Sequence, residues 1–471
     1  MKRTKIVCTI GPASNDRMTL SQMVRSGMNV ARLNFSHGTY EEHRETIKLI
    51  ESVSDELGVP VAVLQDIAGP KMRIGKVAGE RVSLNVDDKI TLTTRDVLTT
   101  SKVVSVDYPM LAREVRAGSA VLLADGAIEL RVDSVSGDEV HCTVVEGGVL
   151  TSHKGVNLPG VSIQASTIGE KDVDDILFGV ENGVDFIAIS FVREPGDLQM
   201  AREIIAGAGA KIPVIAKIER HEALSRIDDI IRDSDGVMVA RGDLGVDIPF
   251  EEVGLVQKRI IRLCNDAGKP VITATQMLRS MVEKNRPTRA EITDITNAIL
   301  DGTDAIMLSE ETASGRYPVR SVDVMSRIAS ATESSQEFRD RVLNHRLTPR
   351  ETVPDVVSHA ACNVAERLGA AAILAPTETG RTPSLIARYR PAPEVIALCT
   401  SKRVYRRLCL TWGIQPVMIE PVSESEELLR RVELVALEDG VRAGDVVVIT
   451  AGTSTGKSGG TNLIKVHLIG S

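Results

Sequence analysis

The stretch GVMVARGDLGVDIPFEEV (236–253) runs from an apolar, β-branched segment through Arg241-Gly242-Asp243 into a helical pattern. A short continuous apolar run reads as a strand buried on both faces. The aspartate behind it has three readings: an adhesion tripeptide, a cap on the next helix, or a metal ligand in an active site. Similar runs occur at KIVCTI (5–10), NVARLNF (29–35), VAVLQD (61–66), DFIAISF (185–191), PVIAKIE (213–219), PVITAT (270–275) and DAIMLS (304–309), making eight in all. Amphipathic stretches such as EEHRETIKLIESVSDEL (41–57) separate them. Eight strand–helix units predict a closed (β/α)8 barrel. An open doubly wound sheet shares the alternation, but the count favours the barrel.

The alternation breaks after Pro70. RVSLNV, KITLTT, AVLLADGAIELRVDSV and EVHCTVV are short strands with turn signals at Asp125-Gly126 and Ser136-Gly137-Asp138. They predict an all-β domain, a β-barrel lid over 71–168, inserted into a catalytic barrel of 1–70 and 169–345. Pro70 and NLPG (157–160) are its hinges. Residues 346–471 alternate helix and strand again and predict a regulatory open α/β domain. The whole is α/β.

The 471 residues suit about three domains. A net charge of −8 opposes nucleic-acid binding, and 3% aromatics leave little for base stacking. No apolar run approaches a membrane span, and the basic start lacks a signal-peptide core. Six scattered cysteines without CxxC spacing fit reduced thiols and a cytoplasmic location. An adhesion loop has little use there.

Barrel active sites sit at the C-terminal strand ends, and these ends are polar here. They carry Arg32, Asn34 and Ser36; Asp66; Lys217 and Glu219; Arg241 and Asp243; Thr275; Ser309, followed by Glu310 and Glu311. Each alone has a bland reading as a cap or surface pair. Gathered on one rim they are costly without a ligand. Glu219 and Asp243 make an all-oxygen pair suited to Mg2+ or Mn2+. Arg32, Arg73, Lys217 and Arg241 add positive charge, the outfit for a phosphoryl group in transfer. GDLGVDIPFEEV opens a helix whose free N–H groups suit a carboxylate or phosphate.

TKIVCTIGPAS (4–14), GMNVARLNFSHG (27–38), SHKGVNLPG (152–160), MVARGDLGVDIP (238–249), TATQML (273–278) and RPTRAEITDITNAILDGTDAIMLSEETASGRYPV (286–319) together resemble the pyruvate kinase family over almost the whole chain. The resemblance implies Mg2+-dependent phosphoryl transfer from phosphoenolpyruvate to ADP. It implies that Glu219 and Asp243 bind the divalent metal, and that Lys217 stabilises the transferring phosphoryl group and the enolate. Arg73 and Arg32 would hold phosphate, Gly242, Asp243 and Thr275 the substrate, and Thr275 and Ser309 the water that protonates the enolate. Arg32, Asn34, His37, Arg73, Lys154 and Asn157 would contact nucleotide under the closing lid. Asn34, Ser36, Asp66 and Ile67 match a monovalent-cation site. A homotetramer is also implied. On this reading Asp243 is the metal ligand.

The chain departs from the family at DIAGPKMR (66–73), where most members read DTKGPEIR. Lys71 replaces glutamate beside the cation site, as in the potassium-independent branch, which implies that its ammonium substitutes for K+. Glu310 stands where glycine or alanine is common, and Arg220 where asparagine is. GTSTGKS (452–458) imitates a Walker A loop with one residue too few between its glycines and a strand following. PTETGRTPSLIARYRP (376–391) places Thr377, Thr379, Gly380, Arg381 and Thr382 as the candidate contacts of a phosphorylated effector, a sugar phosphate or AMP, although Glu378 opposes a phosphate. The chain stops at Ser471, which predicts no extra C-terminal domain. Two other functions compete: a lyase or aldolase barrel acting on pyruvate or phosphoenolpyruvate, and a non-enzymatic adhesion or nucleotide-switch protein. The inserted domain and Lys154 argue for a nucleotide clamp and against the lyase.

Overall fold

The computed structural model describes residues 2–164, 166–343, 347–422, 425–452 and 460–470. Its centre is a closed ring of eight parallel strands, and all eight predicted runs take part. They are β1 (Lys5–Thr9), β2 (Val30–Asn34) and β3 (Ala62–Asp66), then, beyond the lid strands β4 to β11, β12 (Phe186–Ile189), β13 (Val214–Ile218), β14 (Gly236–Ala240), β15 (Val271–Ala274) and β16 (Ala305–Leu308). The strands are apolar throughout because both faces are buried. Val7, Val30, Leu64, Ile215, Met238 and Met307 fill the interior, while Ile6, Leu33, Val63, Ile218 and Val239 pack under the helices. Side chains alternate along a strand. The interior register therefore continues upward from Val30 to Arg32 and Asn34, from Leu64 to Asp66, and from Ile215 to Lys217 and Glu219.

The lid strands are β4 (Val82–Leu84), β5 (Lys89–Thr93), β6 (Val103–Ser105), β7 (Ala120–Leu123), β8 (Ile128–Ser136), β9 (Glu139–Glu146), β10 (Gly148–Leu150) and β11 (Val156–Asn157). They enclose a separate apolar core. The ladders form a six-stranded sheet, β11-β7-β8-β9-β5-β6, and a β10–β4 pair, with one short helix at Leu111–Glu114. The edge strands β6 and β11 have only three and two residues. Isolated bridges from Arg73 to Gly155 and from Ile74 to Val106 span the gap between them.

The C-terminal sheet is ordered β19-β18-β17-β20-β21, from β17 (Ala372–Thr377), β18 (Glu394–Cys399), β19 (Ile414–Met418), β20 (Val446–Gly452) and β21 (Thr461–Leu468). Only β21 runs antiparallel. Strand β19 escaped the sequence reading because Pro416 looks like a breaker, yet an edge strand tolerates it. Positions 453–459 of the Walker-like stretch lie outside the described residues, and the element after them is the strand β21. This domain closes the barrel floor. Cys409 and Leu410 join the interior barrel cluster, Lys5 Nζ donates to Ile414 O (2.6 Å), and Arg406 Nε pairs with Asp185 (3.1 Å). The opposite rim stays clear for chemistry. All six cysteines are buried and free. Among the described residues no helix is long and apolar enough to cross a membrane.

Candidate active site

Lys217 stands at the centre of the rim. Its Nζ lies 3.0 Å from Asp66 Oδ1 and 3.0 Å from Glu219 Oε1, and it donates to Ser190 Oγ at 2.6 Å. The other oxygen of Asp66 accepts from Arg32 Nε at 2.6 Å, and Arg32 Nη1 donates to Thr9 Oγ1 at 2.9 Å. Burial alone pulls the Lys217 ammonium down, but Asp66 and Glu219 outweigh it and hold the pKa above its ordinary value. Asp66 responds in reverse: burial raises it, Arg32 and Lys217 prevail, and it stays a carboxylate. Glu219 is pushed up, first by burial and then, against the pull of Lys217, by the charges of Asp243 and Asp66. A buried acid crowded by like charge is a site where a cation relieves strain.

Asp243 lies on the helix Arg241–Asp247 that follows β14. Its Oδ1 is 3.5 Å from Lys71 Nζ, which is also 3.7 Å from Asp125 of the lid. Lys71 thus faces Asp243 and Asp125, whereas the expected cation cradle has partners of its own. Asn34 Oδ1 accepts from Ser36 N (3.2 Å), the Ile67 carbonyl accepts from Ser190 Oγ (2.6 Å), and Asp66 is held by Arg32 and Lys217.

Thr275 carries a φ of +75°, a left-handed conformation that a β-branched residue adopts only under constraint. Arg241 supplies the constraint: it donates to Thr275 O (2.7 Å) and Ala274 O (3.1 Å) and pairs with Asp294 (2.7 Å). The expectation that Arg241 adds charge to the site is therefore corrected, because its guanidinium is committed to this loop. A Cβ on Gly242 would sit 2.7 Å from Thr275 Cγ2. Gly242→Ala is expected to displace Thr275 and lower kcat roughly tenfold or more, since small misplacements are amplified in catalysis. Steady-state kinetics beside a melting curve check this; a Tm drop with kcat intact would show that the contact serves only packing.

The remaining predicted residues divide between barrel and lid. Arg73 lies on the lid, donating through Nη1 to His153 O (3.0 Å), while Lys154 is exposed and Asn157 is buried with Oδ1 lacking a hydrogen-bond partner. His37 is exposed and its carbonyl accepts from His43 (2.9 Å). Ser309 precedes the short helix Glu310–Ala313. Its N–H donates to Glu311 (2.7 Å), and Glu311 also accepts from Leu278 N (3.0 Å). Glu310 points away, to Arg279 at 3.1 Å. In the C-terminal domain Thr379, Gly380 and Arg381 line a cleft of about 290 Å3 against the barrel floor. Gly380 N donates to Thr377 Oγ1 (2.8 Å), and the buried Thr382 hydroxyl is bound to Thr461 (2.6 Å). Sequence reasoning missed Ser190 and Thr9 as supports, and placed Glu311 on the rim without its role. Ser190 and Thr9 are polar residues at strand ends, a signal available in the sequence.

A (β/α)8 barrel whose C-terminal rim gathers a buried lysine, an arginine and paired carboxylates under an inserted domain defines a phosphotransferase. The chain matches the family model "Pyruvate kinase, barrel domain" over residues 1–322 and "Pyruvate kinase, alpha/beta domain" over 355–467. It is 48% identical to a pyruvate kinase of Sporosarcina psychrophila, over 100% of this chain and 81% of that one. It is 47% identical to that of Geobacillus stearothermophilus, over 99% and 80%. The crystal structure of a pyruvate kinase from Cryptosporidium parvum superposes with a TM-score of 0.92 at 36% identity, covering 99% of this chain and 96% of that one. The chain belongs to the pyruvate kinase family.

Proposed function

We propose that the chain transfers the phosphoryl group of phosphoenolpyruvate to ADP, giving pyruvate and ATP, with Mg2+ or Mn2+ bound by Glu219 and Asp243. The observation that carries this is the buried Lys217 ammonium held between Asp66 and Glu219. The donor set fits the metal: two carboxylates, all oxygen, with Glu219 pushed above its usual range by burial and then by the charges of Asp243 and Asp66. When bound, the metal neutralises charge on phosphoryl and enolate oxygens.

Lys217 and Arg32 neutralise the phosphoryl group from the barrel side. Arg73 reaches it from the lid, beside Lys154 and Asn157, which hold nucleotide together with Asn34 and His37. The orphan Asn157 Oδ1 gains a partner in this way. Gly242, Asp243 and Thr275 border the substrate carboxylate. Thr275 and Ser309 order the water that protonates the enolate, since an unperturbed hydroxyl is too weak an acid to do so alone. Lid closure excludes bulk water, so that the phosphoryl group passes to ADP and not to hydroxide. Lys71 supplies, from the Asp243 side, the positive charge that K+ provides elsewhere, so K+ is not required. On the same reading four copies assemble in the cytoplasm, and a sugar phosphate or AMP at Thr377–Thr382 modulates them.

The test is pyruvate formation from phosphoenolpyruvate, ADP and Mg2+ by folded protein in K+-free buffer. ADP-dependent pyruvate is the expected result. Loss of phosphoenolpyruvate without ADP would replace the reading with a lyase. Titrating fructose 1,6-bisphosphate, ribose 5-phosphate and AMP against substrate affinity tests the effector.

A further inference from the structure

Two segments carry the chain between barrel and lid: the outgoing one just after Asp66, and the return one that leads into the helix Glu170–Glu181. The return segment is fastened to the rim by two arginines. Arg193 binds Ile163 O and donates to Thr167 Oγ1 (3.1 Å), which is in turn bound to Asp197 (2.6 Å). Arg220 donates through Nη2 to Val161 O at 2.9 Å.

Arg220 reaches further. It follows Glu219 directly, and its guanidinium is almost fully buried. Nε lies 3.3 Å from Glu222 Oε2, and Nη1 forms an ion pair with Asp247 Oδ1 at 3.4 Å that is not a hydrogen bond. Asp247 is the last residue of the helix Arg241–Asp247, one turn beyond Asp243. Its other oxygen accepts from the backbone N (2.5 Å) and Nδ1 (2.7 Å) of His221. One side chain thus joins the strand end bearing Glu219, the helix bearing Asp243 and the lid's return segment. Beside it lies a small cavity of about 40 Å3, lined by Lys71, Asn157, Phe191, Arg193 and Arg220.

We propose that Arg220 is a positioning residue that couples lid closure to the metal-bearing rim, and this rests on the phosphoryl-transfer reading above. A planar guanidinium can donate to a carbonyl and one carboxylate while its charge holds a second carboxylate beside it. When the lid swings, Val161 moves with its return segment. Arg220 transmits that movement to Asp247, and through one helical turn to Asp243. Lid closure is therefore registered at the carboxylate, which the open lid leaves competent for chemistry that needs the rim alone. Without the guanidinium, lid and rim move independently, and the nucleotide is clamped over a site that no longer registers its arrival.

The test separates chemistry that needs the lid from chemistry that does not. Phosphoryl transfer to ADP needs both. Exchange of the pyruvate methyl protons with D2O, in Mg2+ and inorganic phosphate, needs only the barrel rim. Arg220→Met and Arg220→Lys are compared with the wild type in both assays. Arg220→Met is expected to lose roughly tenfold or more in kcat for transfer, with KM for phosphoenolpyruvate within about threefold, because an interaction realised in the closed complex is removed. Its methyl exchange should stay within about threefold of wild type, and Arg220→Lys, charged but unable to bridge, should fall between. Equal loss of transfer and exchange would mean Arg220 merely supports Glu219 and would overturn the coupling. Unchanged transfer would overturn it as well. Absence of ADP-dependent pyruvate in the wild type would instead indict the phosphoryl-transfer reading.

Discussion

Replacing Lys217 with methionine is expected to reduce kcat/KM for phosphoryl transfer by about 10^3-fold or more, the range seen when a preorganised charge is removed from a developing anion. Methionine keeps much of the length and packing but not the ammonium that sits within 3.0 Å of both Asp66 and Glu219. The loss is not catalytic alone. Asp66 still has Arg32 at 2.6 Å, whereas among the described residues Glu219 keeps the Phe191 N–H at 2.7 Å but has no ion-pair partner left. Removing one partner of a buried pair costs roughly 3–5 kcal/mol when the remaining charge stays ionised. Glu219 escapes part of that by taking a proton, because its pKa is already raised and the change lifts it further. A carboxyl with a raised folded-state pKa is most stable protonated, so the variant loses stability relative to wild type as pH rises through that pKa. Melting curves across pH, paired with kinetics, test both halves. Turnover within tenfold of wild type in a folded Lys217→Met enzyme would remove Lys217 from the phosphoryl-transfer step.

The barrel was legible because burial on both faces writes continuous apolar runs, and the eight runs recovered the eight strands of the ring. The rim was legible because a polar residue at the end of such a run, in register with interior residues below it, has nowhere to point but into the mouth. That logic located Arg32, Asp66, Lys217 and Glu219 together. Partner choice is where it stopped. Arg241 sits at a strand end like the others, but a bent loop at Thr275 turns two carbonyls towards it and takes its donors. Spacing along the chain does not encode that turn. Lys71 shows the same limit from the other side: its position in sequence suggested the Asn34–Ser36–Asp66 cluster, while it pairs with Asp243 and with Asp125, which the lid's fold brings close.

Lys71→Glu is expected to make the enzyme depend on added K+. In K+-free buffer the variant should lose on the order of 10^2-fold in kcat/KM, because it exchanges an ammonium for a carboxylate beside two others, Asp243 and Asp125. At about 4 Å and an effective dielectric of 20, each reversal of sign shifts the interaction by several kcal/mol before solvent screening. Lys71 and Asp243 are each about a third exposed and Asp125 is more open. Screening therefore cuts the effect well below that figure, and the hundredfold expectation reflects the cut. The added negative charge weakens anionic substrate binding and gives a monovalent cation a new oxygen ligand. Titrating K+ into the variant should then restore activity towards the wild-type level, while the wild type stays flat over the same range. Na+ controls for ionic strength, which would act on both proteins alike. A wild type that itself collapses without K+ would end the idea that the Lys71 ammonium takes the ion's place, and leave it as a lid-hinge ion pair. A variant that stays inactive at saturating K+ would mean the lysine is needed for its contact with Asp243 and not for its charge alone.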